Sequence, residues 1–364
     1  MKKLIFKNFI LDVLTFFVAS VLIMGVIVWT LQAVNYFDFV SEDGHGLKVY
    51  FAYTFLNFPK IIHRILPFMF FISLFYSIIR YELNNELNLF WINGISKIKF
   101  LNITIFFSII LMIFQIWLGS YLSPLSQLKA RFLIKNSNID FFTSLIKEGK
   151  FINSAKDLTI FIEKKEEENF SNIFIDDSTK GYSRMIYAKK GRIASEKKSK
   201  KFLLFDGKVI NINNKRINTF EFDQIDFNLQ SLGSNSITKP KIQEINSLHL
   251  LNCVFNRNVL ADKKCQDGLL NETKQELLKR FFKPIYLPLI AMLCCFLVIS
   301  GKYKPNYERT KRYIFLIILF LIIISETSLR YSTSSDLLLI IYFLTPFLLF
   351  TLFYSFAFIK LNNV

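Results

Sequence analysis

The sequence predicts an α-helical membrane protein with three spans on each side of an inserted antiparallel β domain. Three observations predict it. Six apolar runs are each long enough for a bilayer core, which takes roughly 20 residues per helix. Lys and Arg gather on one side of those runs. Between the third and fourth runs the pattern changes to apolar–polar alternation. Of 364 residues, 52% are hydrophobic, 42 are Phe and only 20% are charged. That excludes a disordered, collagen-like or disulfide-rich small protein and disfavours a soluble enzyme. The net charge of +17 is not taken as a sign of nucleic-acid binding, because Lys, Ile, Asn and Phe are all in excess, as in an AT-rich coding sequence.

The runs cover residues 9–34, 61–79, 100–122, 281–300, 313–325 (continuing to 329) and 337–359. The first is longer than the ~7–15 residues of a secretory signal core, and Leu31-Gln32-Ala33-Val34-Asn35 makes a poor cleavage site, so it reads as a retained anchor. Cations set the orientation. With the N-terminus inside, the inner segments hold Lys2, Lys3, Lys7, Arg80, Lys97, Lys99, Lys302, Lys304, Arg309, Lys311, Arg312 and Lys360. The short outer loops hold Lys48, Lys60, Arg64 and Arg330. Both termini then lie inside and the polar middle outside. The expected division is 1–122 (spans one to three), 123–280 (outer domain) and 281–364 (spans four to six).

Residues 81–93 join spans two and three and are too few to cross a bilayer. Leu83, Leu87, Phe90 and Trp91 fall on one side at helical spacing, with Glu82, Asn85, Glu86 and Asn88 supplying the polar face. Gly94 is placed to end this helix with positive φ. Two uses fit: a lever moved by a partner, or a helix lying flat in the headgroups.

In the middle region Leu158, Ile160 and Ile162 alternate with Thr159, Phe161 and Glu163. Ile210 and Ile212 alternate with Asn residues, and Phe220 and Phe222 with acids. Period two argues for half-buried strands. Asp206-Gly207 reads as a hairpin turn. Charged breaks at 164–169, 176–181 and 196–201 separate further strands. The sheet is expected to be a solvated module, to hold apolar chains in a groove lined by Ile160, Ile162, Ile210, Ile212, Phe220 and Phe222, or to pair its edge strand with another protein's sheet. Two helices follow, at 247–258 with Leu248, Leu251 and Phe255 on one face, and at 266–279. Cys294 and Cys295 read as packing residues. Cys253 and Cys265 lie where an oxidising compartment permits a disulfide, which spacing alone neither requires nor forbids.

No phosphate-binding loop, Cys-x-x-Cys pair, His-x-x-x-His pair or Gly-x-Ser-x-Gly turn is present. His45, His63 and His249 are scattered. No catalytic, cofactor or metal site is expected, so the protein acts passively, uses an ion gradient or borrows energy from a partner. Glu326 and Arg330 share a helix face in span five. A carboxylate there faces a bundle interior or a wet cavity, unless the span ends early.

Several stretches together resemble the LptF/LptG permeases of the lipopolysaccharide-export ABC transporter. Val28-Trp29-Thr30-Leu31-Gln32-Ala33, followed by Asp38-Phe39-Val40 and Gly44-His45-Gly46-Leu47, is similar to the first span and following loop of the LptF branch. The stretch from Glu86-Leu87 to Gly94-Ile95-Ser96 is similar to the family's Ser-Glu-Leu…Gly-x-Ser element, with Asn85 replacing the small residue before Glu. Glu276, Arg280 and Pro284 match the Glu-x-x-x-Arg-x-x-x-Pro stretch that opens the fourth span. The order of spans and β domain covers essentially the whole chain.

The resemblance implies a jellyroll-like periplasmic β domain and a location in the bacterial inner membrane. It implies a heterodimer with a second LptF/LptG-type permease, driven by an LptB-type ATPase dimer that docks on residues 81–93. Glu82, Glu86, Leu87, Phe90, Trp91 and Gly94 become the coupling candidates. Lipopolysaccharide would pass from a cavity near Trp29, Gln32, Glu326 and Arg330 through the β domain toward LptC-type and LptA-type proteins. The family's cavities bear cations near the outer ends of spans one and five; here Arg330 is the clear one. The alternatives are a membrane-anchored scaffold, or a permease for another lipid or for lipoproteins.

Overall fold

The computed structural model describes residues 2–37, 47–145, 148–155, 158–166, 169–178, 183–196, 199–213, 216–228, 241–255, 270–299 and 305–362. Among the described residues, six helices are long and apolar enough to cross a membrane: Lys2–Asn35, Leu47–Leu83, Lys97–Ile134, Leu270–Val298, Tyr307–Tyr331 and Asp336–Lys360. They are called spans one to six below. The chain divides into two units. One holds Met1–Gln32, Leu56–Leu128 and Lys241–Val364, and the other Ala33–Phe55 and Lys129–Pro240.

In the helical unit, span four is the axis. Every residue of Tyr286–Cys295 is buried, and this segment packs against spans two and three. A segment apolar on all sides belongs at the centre of a bundle. Spans one, five and six instead leave Leu22, Ile23, Phe320 and Leu352 exposed, an apolar surface suited to lipid or another subunit. Span two keeps its helix through Pro67. The one acid of span one, Asp12, accepts a hydrogen bond from the Tyr81 hydroxyl of span two at 2.6 Å. Cys294 and Cys295 are free and buried, as the sequence suggested. Cys253 is disulfide-bonded, and Cys265 lies outside the described residues.

The helix Ser247–Phe255 turns the other way from expectation. Ser247, Leu250 and Cys253 are buried, whereas Leu248 is 69% and Phe255 80% exposed. Its orientation follows the polar anchoring of Ser247, described below, rather than its most apolar stripe. The next described helix runs Leu270–Phe281.

The second unit contains a six-stranded antiparallel sheet: β1 Lys150–Ala155, β2 Leu158–Glu166, β3 Asn169–Asp177, β4 Ser183–Glu196, β5 Ser199–Asn213 and β6 Arg216–Asn228. The strands pair in chain order, a meander without crossovers. The charged breaks fall at the β2–β3, β3–β4 and β4–β5 connections. Asp206-Gly207 does not turn the chain, because both lie inside β5.

A crease explains this. Along β3 the buried residues are Phe170, Ile173 and Ile175; along β4, Ile186, Ala188 and Gly191. Each strand has one step of three where the pleat has period two. The register brings Asn172, Lys189, Asp206 and Asp223 into one row at that step, between regular pairs on both sides. Asn172 and Asp206 both have φ of 50°, left-handed backbone that Asn and Asp tolerate. The sheet therefore folds over its own inner face. Ile162, Ile175, Ile186, Phe202 and Leu204 are fully buried there, and the Phe170 and Phe202 rings meet edge-on at 5.4 Å. A Cβ on Gly191 would collide with Ile173 Cδ1 and Phe202. The resemblance implied a jellyroll. In the described strands the crease encloses an interior that two packed sheets would otherwise provide.

Candidate lipid cavity and coupling surface

Between spans two and three the chain breaks at Asn85, whose φ is 59°. Left-handed backbone accounts for Asn where the similar family element has a small residue. A seven-residue helix follows, Glu86–Ile92. The Asn84 side chain donates to Glu86 Oε1 at 3.0 Å. Gly94 ends the segment with φ of 66°, and its carbonyl accepts from Lys2 Nζ at 3.2 Å. The Ser96 hydroxyl then caps span three by accepting from the Lys99 amide.

Two coupling candidates take a different place from the one expected. Leu87 and Phe90 are each 1% exposed, and Phe90 packs edge-on against Phe6, Phe9 and Phe100. Phe90 fastens the helix to spans one and three, and Leu87 is buried in the same apolar core, so neither faces a partner. A helix lying flat with this face in lipid is likewise ruled out. Trp91 is half-buried under Lys97. The outward surface carries Asn85, Asn88, Leu89 and Ile92, with Glu82 and Glu86 half-exposed. Ile92 is 80% exposed.

Glu326 does not pair with Arg330. It forms an ion pair with Lys283 of span four. Arg330 is exposed, and its carbonyl accepts from the Gln275 side chain at 3.3 Å. Lys283 belongs to a cationic rim that the sequence reading missed. Lys60 lies within electrostatic reach of Arg64, Lys241, Lys279 and Glu244. Glu326 lies within reach of Lys283, Lys279 and Arg64. Lys279 pairs with Glu276 at 3.2 Å. Lys60 and Arg64 have no ion-pair partner among the described residues. Arg280 also pairs with Glu276, at 3.1 Å, so six cations meet three carboxylates where spans two, four and five come together. Lys60/Arg64 and Lys279/Lys283 are each one helical turn apart at the start of an apolar run, a signal visible in the sequence. In span one Trp29 and Gln32 are half-buried, and the Trp29 indole N–H has no partner among the described residues. No hydrogen bond among the described residues joins them to Glu326 or Arg330.

The six groove candidates divide between two faces of the sheet. Ile160, Ile162, Phe220 and Phe222 share the inner face. Ile160 and Ile162 are buried in it, while Phe220 is 58% exposed at the β6 edge. Ile210 and Ile212 point to the opposite face, because Val209 takes the inner position on β5. The crease changes the parity of the strand, so period-two counting alone selected the wrong side. The outer face carries a cross-strand row, Phe151, Phe161, Phe174, Tyr187, Lys208 and Glu221.

The family model for the lipopolysaccharide export system permease LptF/LptG matches residues 8–360. The chain belongs to this family. A protein of Rickettsia prowazekii (strain Madrid E), named "Uncharacterized protein RP871", is 23% identical over 326 residues, covering 86% of this chain and 85% of that one. The LptF/LptG match spans both helical triplets and the intervening sheet. The chain is thus a multi-pass permease component of lipopolysaccharide export and is itself non-catalytic. The loop stretch Asp38–Leu47 compared with the LptF branch lies mostly outside the described residues; its first-span counterpart, Trp29–Ala33, is the last part of span one.

Proposed function

We propose that this permease draws lipopolysaccharide from the outer leaflet of the bacterial inner membrane, powered by an ATPase subunit of LptB type. The observation that carries the reading is the cationic rim joined to apolar spans, in a chain of the LptF/LptG family. Lys60, Arg64, Lys279 and Lys283 suit phosphorylated headgroups, and the apolar spans suit acyl chains. A second LptF/LptG-type subunit completes the cavity along the exposed spans one and five. The LptF branch is the reading favoured by residues 28–33.

Both termini are placed in the cytoplasm and the sheet in the periplasm, following the cation bias. The ATPase docks on the outward surface of 82–94, with Glu86, Leu89 and Ile92 as its contacts. Because Phe90 anchors that helix to spans one and three, a push on it moves both. Acyl chains then leave the cavity for the creased sheet. They must exchange one apolar surface for another, since each CH₂ exposed to water costs ~0.8 kcal/mol. The edges β1 and β6 suit pairing with LptC-type and LptA-type sheets.

The test is purification in mild detergent, identification of bound subunits and lipid, and reconstitution into vesicles holding lipopolysaccharide. Nucleotide-dependent release of lipid supports the reading. An assembly that binds no ATPase and no amphiphile supports the scaffold alternative instead.

A further inference from the structure

Where span three leaves the bundle, its helix contains a π-turn, Leu118–Leu122. Pro124 accounts for its position. It has no N–H for the Ser120 carbonyl four residues back, and its ring would collide with that oxygen. The freed carbonyl accepts instead from the Ser247 hydroxyl at 2.7 Å. Gly119 is required beside it, since any Cβ there would strike the His63 imidazole of span two.

Ser247 is held in turn by Arg280, at the base of span four. The Arg280 side chain is 1% exposed. It donates to Ser247 Oγ, Ile245 O and Gln243 O, each at 2.9 Å, and to Glu276 Oε1 at 3.1 Å. A planar fork of fixed donors suits this set; a Lys ammonium does not. Arg280 thus fastens the chain returning from the sheet to span four, and Ser247 fastens it to the turn where the outgoing chain begins.

We propose that Arg280, Ser247 and the π-turn form a transmission joint, in which Arg280 and Ser247 are positioning residues that lock the start of the outgoing chain and the returning stretch 243–247 to spans three and four, so that these two ends of the connectors move with the spans. The joint rests on the permease reading above. A loose joint lets the spans move without redirecting the connectors, so energy is spent and lipid is not delivered.

The experiment uses the complete assembly in vesicles and measures lipid released per ATP hydrolysed, alongside thermal unfolding. Ser247→Ala should lower that ratio three- to tenfold, with ATP turnover within twofold and the unfolding temperature unchanged. Ser247→Thr, which keeps the hydroxyl, should restore it. Arg280→Lys should behave as Ser247→Ala or worse. An unchanged ratio in Ser247→Ala overturns the joint, and so does a ratio that falls only in step with lost folded protein. If the unaltered assembly releases no lipid on ATP addition, the permease reading itself fails, and the joint with it.

Discussion

Lys283 of span four forms an ion pair with Glu326 of span five. The Lys283 side chain is 11% exposed and that of Glu326 45%, which places the pair between the fully buried and fully solvated cases. Removing either partner should cost about 1–2 kcal/mol. Removing both should cost little more than one, because the second charge is no longer stranded. Thermal unfolding of Lys283→Ala, Glu326→Ala and the double variant in detergent checks this; additive losses would show that the two residues act separately.

The rim predicts salt-sensitive capture of anionic lipid. Lys60→Gln and Arg64→Gln should each weaken lipopolysaccharide binding about three- to tenfold at low ionic strength, with the difference shrinking above ~0.5 M salt as screening shortens to a few ångströms. Titration of the purified assembly with fluorescent lipopolysaccharide at two salt concentrations measures it. Equal binding by the wild type and both variants would remove the rim from the lipid path.

The helix Glu86–Ile92 separates anchoring from contact. Phe90→Ala should destabilise the bundle by about 3–5 kcal/mol, as expected for a buried aromatic. Glu86→Arg should leave folding intact and uncouple ATP hydrolysis from export. ATPase activity, lipid release and melting temperature of the two variants distinguish the roles. Normal export by Glu86→Arg would reject the docking surface.

The creased sheet predicts two different responses. Gly191→Val meets Ile173 and Phe202 and should cost about 1–3 kcal/mol by overpacking. Phe220→Asp, at an exposed edge, should leave folding unchanged but reduce cross-linking to passing lipid. Photo-cross-linking from β6 tests the second; undiminished cross-linking would place the acyl chains elsewhere.

The spans and strands were legible because lipid demands long apolar runs and a half-buried sheet demands alternation. Three features were not. Asp206-Gly207 carries turn chemistry, yet the same left-handed tolerance serves a crease in mid-strand. Ile210 and Ile212 fit the alternation but lie beyond the parity change that the crease introduces. Lys283 and Glu326 are 43 positions apart, and only the packing of two spans makes them partners. Phe90 was read correctly as apolar, but periodicity does not reveal whether an apolar face meets lipid, an ATPase or its own bundle.

The shared row of Asn172, Lys189, Asp206 and Asp223 has an evolutionary consequence. Losing or gaining one residue within a single strand would throw half of that strand out of phase with its neighbours and expose its greasy side chains. Length variation among descendants should therefore gather at the loops joining strands, while the strand interiors keep a constant count.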